Sequence, residues 1–172
     1  MGKRSSGFEP RPRNYYPTPY RAVPFLLPHL RGVQTFAEPC AGEGHLVGHL
    51  QRHGLVCAYE GDISYGYDAM VVPFEENSFD AIITNPPWSR GVLHPMIDRF
   101  MSMAPTWLLL DADWLHTKQA ARFIDQCSHI VSVGRLKWIE DSKHTGKDNC
   151  AWMRFHSQHV GGPRFIGREV AA

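Results

Sequence analysis

Four consecutive residues are the ones best suited to chemistry: Asn85, Pro86, Pro87 and Trp88, set directly after the apolar run 79–84. The Asn85 side-chain oxygen and the Pro86 carbonyl are two acceptors, and neither proline carries an N–H that would compete for them. The indole of Trp88 adds a flat face against which a base or an amide can stack. Together they suit the grip of a planar NH2 group, which predicts an enzyme that alkylates an exocyclic or amide nitrogen. Such a nitrogen is a poor nucleophile because its lone pair is delocalised. Accepting both of its N–H bonds would favour pyramidalisation, aim the lone pair and stabilise the positive charge that builds on nitrogen. Positioning then supplies most of the gain, and no dedicated general base is required. The plainer alternative is a stiff strand-to-helix turn, with Asn85 as a cap and Trp88 plugging the core.

A second candidate is the loop Glu38, Pro39, Cys40, Ala41, Gly42, Glu43 and Gly44. Glycines there let the backbone turn and approach a ligand closely. A turn at the carboxyl edge of a parallel sheet is also where ligands are expected. The spacing is not G-x-G-x-x-G, and Glu38 and Glu43 would repel a pyrophosphate, so a dinucleotide is disfavoured. An acidic rim suits a cation instead, such as a sulfonium or an α-amino group. Asp62, with Ile63 after it, lies about twenty residues beyond the glycines, the separation at which an acid reaches ribose hydroxyls. Glu60 is its alternative. Asp68, beside an expected third strand, is placed to accept from an adenine amine. For each acid the competing reading is a solvated loop carboxylate or a helix cap.

Basic residues near these loops are candidates for phosphate contact: Arg90 after the tetrapeptide, and Lys143, His144 and Lys147 in the polar loop 140–149. The competing reading of that loop is a solvated hairpin. Asp111 and Asp113 reach the pocket rim in one reading and cap the next helix in the other. Trp138 and Trp152 are expected in the core.

The elements that must position these residues follow from periodicity. Apolar segments at 33–37, 55–59, 69–72, 79–84, 106–110, 129–133 and 150–155 are expected strands, and 45–53, 92–103 and 115–127 are expected amphipathic helices. Strand and helix alternating with short connections predict an α/β fold with a mostly parallel sheet. Residues 1–14 read as a flexible basic arm, 15–160 as a single domain and 161–172 as a loose tail. The 172 residues carry a formal net charge of +1 with 43% hydrophobic and 20% charged residues, an ordinary soluble composition. Four scattered cysteines without a C-x-x-C pair argue against a zinc site or a disulfide framework and fit a reducing cytoplasm. No metal-ligand spacing, membrane span or secretory signal is seen.

As an ordered set, these residues resemble the class I S-adenosylmethionine-dependent methyltransferases, and within them the small amino-methyltransferases of the adenine-N6 DNA type. The resemblance spans about residues 15 to 156. Glu38 to Gly44 looks like their glycine loop, with Cys40 where the family has its first glycine; Asp62 looks like the ribose-binding acid. Asn85 to Trp88 looks like the catalytic N/D-P-P-Y/F/W motif, and Asn85 also borders the cofactor. Tyr15 to Pro19, with Tyr16, Thr18 and Pro19, looks like the segment that closes over the methionine end of S-adenosyl-L-methionine.

The resemblance implies a Rossmann-like sheet of seven strands, the last antiparallel, with helices on both faces. It also implies methyl transfer to N6 of adenine in DNA, in a compact bacterial or phage enzyme that is a monomer or a homodimer. A duplex would have to flip its base into the pocket. No insertion is large enough for a separate target-recognition domain. The alternatives are a methyltransferase of RNA bases or of a protein glutamine amide, and a catalytically silent cofactor-fold subunit.

Overall fold

The computed structural model describes residues 16–73, 78–139 and 145–168. Among them seven strands form one sheet: β1 (Thr35–Glu38), β2 (Val56–Glu60), β3 (Ala81–Thr84), β4 (Thr106–Asp111), β5 (Cys127–Arg135), β6 (Asn149–Phe155) and β7 (Arg164–Ile166). Their order across the sheet is β2-β1-β3-β4-β6-β5-β7. β2, β1, β3 and β4 are mutually parallel, and β6 is antiparallel to both of its neighbours, β4 and β5. This is the doubly wound, mostly parallel Rossmann-like arrangement expected from the sequence. The antiparallel strand, however, is not the last but the sixth, inserted between β4 and β5, and the last strand, β7, runs parallel to β5.

Side chains alternate across each strand, so the sheet builds one core on each face. On one face, Phe36, Ile83, Trp107, Leu109 and Trp152 pack beneath α1 (Val23–Leu26) and α2 (His45–Gln51). On the other, Ile82, Leu108, Leu110, Met153 and Phe155 pack beneath α3 (Arg90–Met103), through its Leu93, Met96, Ile97 and Phe100. That spacing of 3, 4 and 7 in α3 is the stripe of a helix lying on a sheet.

Three further expectations fail. The third strand near 69–72 is a turn: the Asp68 carbonyl accepts from the amides of Val71 and Val72, and its carboxylate accepts from Met70 N at 2.8 Å. An Asp-started turn followed by Pro73, which has no N–H to donate, competes successfully with an edge strand. Arg99 of α3 secures this turn, its guanidinium donating to the carbonyls of Ala69 and Val72. The helix expected over 115–127 is two short 3-10 turns, Ala112–His116 and Ala121–Phe123. There the Thr117 hydroxyl donates to the Trp114 carbonyl at 2.8 Å, a local bond that competes with helix continuation. Within the tail expected to be loose, Arg164–Ile166 forms β7, pairing in parallel with β5.

No helix among the described residues is long and apolar enough to cross a membrane. None of their His, Cys, Asp and Glu side chains gather in threes to hold a metal ion.

Candidate active site

The parallel strands deliver their carboxyl ends to one edge, and the candidate residues gather there. Glu38 ends β1 and is buried, 1% exposed, with Oε1 accepting from the Cys40 amide at 3.1 Å. Burial pushes its carboxyl up to about 8, opposed by the Thr84 hydroxyl and the Cys40 amide, and reinforced by Asp62 and Glu60. Cys40 shares this environment, and burial raises its thiol well above the ordinary range, so it acts as a neutral apolar wall.

The glycine loop is tied to the next strand by backbone bonds. Gly61 N donates to the Glu38 carbonyl at 3.0 Å, and Ala41 N to the Gly61 carbonyl at 2.9 Å. Gly42 and Gly44 take left-handed φ values of 55° and 75°. A Cβ on Gly44 would stand 2.8 Å from Glu60 Oε1, so a side chain there would push the Glu60 carboxylate aside. Asp62 spans the gap: Oδ2 accepts from Gly42 N at 2.9 Å, and Oδ1 accepts from Ser64 N at 2.8 Å and Ser64 Oγ at 2.5 Å.

A cavity of about 200 Å³ opens here, lined by Ala41, Gly42, Glu60, Gly61, Asp62, Tyr65 and Tyr67. Its charged lining is acidic. Ile63 lies on its exposed flank, 60% accessible. Asp68 belongs to the same neighbourhood, since its charge acts on Cys40 together with that of Asp62.

Asn85 follows β3, half-buried. Its Nδ2 donates to the Tyr16 carbonyl at 3.2 Å. That bond orients the amide, directing Oδ1 away from Tyr16. Pro86 is buried, and no donor among the described residues reaches its carbonyl. Trp88 sits where the two cores meet, its indole N–H donating to the Leu109 carbonyl at 3.0 Å. The ring is therefore anchored.

Trp138, expected in the core, packs half-buried against one core cluster and also meets the rings at this mouth. Its ring meets Trp88 edge-on at 5.7 Å and 78°, and Tyr16 at 6.1 Å. It is half-buried on the chain leaving β5. Gly146 closes that loop by donating to the Leu136 carbonyl at 2.7 Å, and a side chain at 146 would press on the Trp138 ring. Trp152 does lie in the core, donating to the Ala22 carbonyl at 2.9 Å.

The segment Tyr16–Pro19 bridges the two halves of the site. Tyr16 holds Asn85, and the Thr18 carbonyl lies 3.2 Å from His49 Nε2 on α2. Pro19 then opens the turn into α1, its carbonyl accepting from Ala22 N. Pro39 and Pro87 complete the two loops. Arg90 is exposed at the first turn of α3, and Lys147 is exposed before β6, both at the carboxyl edge. Lys143 and His144 lie outside the described residues. Asp111 and Asp113 serve the local turn, with Asp111 Oδ1 accepting from Asp113 N at 3.0 Å.

Residues missed from the sequence are Trp138, Tyr65 and Tyr67. The two tyrosines carried a signal, since they follow Asp62 by three and five residues. Trp138 carried none, because nothing local distinguishes it from a core tryptophan.

No protein-family model and no curated protein sequence matches the chain. Solved structures do match. One, provisionally assigned as an RNA methyltransferase from Pyrococcus horikoshii, is 15% identical with a TM-score of 0.56, over 82% of this chain and 80% of that one. Another, provisionally assigned as a class I S-adenosylmethionine-dependent methyltransferase from Listeria monocytogenes, is 10% identical with a TM-score of 0.54. The alignment covers 87% of this chain and 63% of that chain. At these identities the likeness is one of fold. The chain has the Rossmann-like fold of class I methyltransferases.

Proposed function

We propose that this chain is an S-adenosylmethionine-dependent methyltransferase that modifies the exocyclic amine of a nucleic-acid base, adenine N6 in DNA being the substrate that the tetrapeptide best suits. The observation that carries the reading is the Asn85 amide, oriented by the Tyr16 carbonyl beside the anchored ring of Trp88. The cofactor would contribute an electrophilic methyl group on a sulfonium.

The residues present suit that cofactor. Gly42 and Gly44 clear space that side chains would fill, and the acids Glu38, Glu60 and Asp62 complement a cation carrying an amine and ribose hydroxyls. Tyr65 and Tyr67 offer aromatic walls to an adenine ring. Asp62 already spends its oxygens on Gly42 and Ser64, so it fixes the loop as well as facing the ligand. Tyr16, Thr18 and Pro19 run beside the tetrapeptide and α2, where a strap over the methionine end belongs.

The steps this chain performs are binding and aiming. Asn85 Oδ1 and the Pro86 carbonyl accept the two amine protons, so the lone pair turns outward and charge building on nitrogen is stabilised where it appears. Trp88 and Trp138, set edge to face, confine the base from two sides. Prolines at 86 and 87 keep the turn stiff, so little reorganisation is needed at the moment of transfer.

RNA is the second reading, favoured by the likeness to the Pyrococcus structure, which is provisionally assigned as an RNA methyltransferase. A protein glutamine amide would use the same clamp. A tritiated-methyl assay against DNA, RNA and protein pools, followed by nucleoside mass spectrometry, separates these. Label in protein alone defeats the base assignment, and no label in any pool defeats the methyltransferase reading.

A further inference from the structure

At the sheet edge opposite the candidate active site, a row of basic side chains crosses three strands, β6, β5 and β7, beside Trp107 of β4. Pairing sets Trp107 of β4 against Arg154 of β6, Arg154 against His129 of β5, and His129 against Arg164 of β7. Residues paired directly across strands share a face. Two arginines and a histidine therefore stand side by side next to a buried tryptophan. The ring of His29, from the 3-10 turn Leu27–His29, covers them, 6.1 Å from Trp107 and 6.2 Å from His129.

A bulge organises the row. The register slips between Cys127 and His129, leaving Ser128 as the extra residue of β5. Its hydroxyl, on a side chain buried among them, receives a hydrogen bond from Arg154 Nη1 at 2.9 Å and lies 3.0 Å from His129 Nδ1. The same hydroxyl donates to the Arg154 carbonyl at 3.2 Å. One serine thus holds guanidinium and imidazole in a fixed relation.

Like charges directly opposed on neighbouring strands repel. No carboxylate among the described residues stands within ion-pair distance of Arg154 or Arg164. After burial, the influences on His129 are all cationic, from Arg154, His29, Arg164 and His159, and they hold its imidazole below the ordinary value. His29 is lowered likewise, by burial and then by Arg164. Among the described residues the fold sets two guanidinium groups here with no carboxylate paired to them. The tetrapeptide chemistry does not use them: the six residues of β4 put roughly 15–20 Å between this edge and the other.

We propose that Arg154, His129 and Arg164, covered by His29, form a binding site for a phosphate group. Arg154 and His129 are recessed and pre-oriented through Ser128, while Arg164 stands exposed at the rim, so a tetrahedral oxyanion meets donors on two sides. The phosphate comes either from the backbone of a bound nucleic acid or from a small free phosphate; the recognition chemistry is the same.

Histidine ring resonances of the full chain, followed by NMR as inorganic phosphate is added at constant ionic strength, test the site. His129 and His29 should shift saturably, and Arg154→Met and Arg164→Gln should each weaken the affinity at least tenfold. Arg154→Met preserves side-chain bulk, and Arg164→Gln lies on an exposed edge strand, so folding is kept intact in at least one variant. A single-stranded oligonucleotide that displaces phosphate from these histidines identifies the backbone as the source. An oligonucleotide that leaves bound phosphate in place identifies a free phosphate ligand. Shifts that never saturate, or affinities unchanged in both variants, overturn the proposal. Neither result bears on methyl transfer, whose readout is the label assay at the other edge.

Discussion

The side-chain amide of Asn85 donates to the backbone carbonyl of Tyr16 at 3.2 Å across 69 residues of sequence. This contact decides which end of the amide faces outward. Were the amide reversed, its oxygen would oppose the Tyr16 carbonyl oxygen, and two acceptors do not bond. The orientation that accepting a substrate amine would require is thus set by the segment Tyr16–Pro19.

From this follows the first expectation. Asn85→Ala should lower turnover by about 100-fold or more, the loss of a preorganised polar partner in the transition state. Cofactor affinity, measured separately by titration, should change little. Near-normal kcat in this variant would dismantle the mechanism.

Glu38 gives a pH signature. Its carboxyl titrates near 8 when folded, against an ordinary 4.5, because burial disfavours the charged form. The folded chain therefore keeps a proton that the unfolded chain releases above pH 4.5. Its contribution to stability is whole below that value and drains away as pH rises towards 8. Glu38→Gln should match the native chain at pH 4 and exceed it in urea unfolding at pH 8, by up to roughly 5 kcal/mol. A constant difference across this range would contradict the assignment. A bound sulfonium or ammonium should also favour the ionised carboxylate, so cofactor affinity should rise between pH 6.5 and 8.5 with proton release.

Gly44→Ala tests the loop. At φ 75° an alanine bears a left-handed backbone penalty of about 1 kcal/mol, and its Cβ displaces Glu60. The variant should unfold at lower urea by that amount and bind the cofactor at least tenfold more weakly. Unchanged cofactor affinity would exclude the loop from the site.

Trp138→Ala should raise KM for a nucleic-acid substrate, by the roughly 1–3 kcal/mol typical of losing one base-stacking ring, while leaving cofactor affinity intact. A simple core role predicts the opposite pattern, with lost stability and unaltered KM.

Much of this was legible in the sequence because the chemistry was local. Glu38 to Gly44 and Asn85 to Trp88 are contiguous, and the strands before them, 35–38 and 81–84, are short apolar runs that periodicity identifies. What could not be read depends on distant partners. The stretch 69–72 looks apolar enough for a strand, yet Arg99, nearly thirty residues later, binds its carbonyls as a turn. Arg164 to Ile166 is too short to signal itself and becomes a strand only because β5 offers an open side. Trp138 is drawn to the mouth by Trp88 and Tyr16, which no window around residue 138 contains.

Helix α3 starts two residues after Trp88, and its Arg99 grips the turn that begins at Asp68. One helix thereby touches both the loop that carries Asn85 to Trp88 and the turn at Asp68. Replacing Arg99 should therefore loosen the turn at 68–72 while leaving the start of the helix, two residues after Trp88, in place.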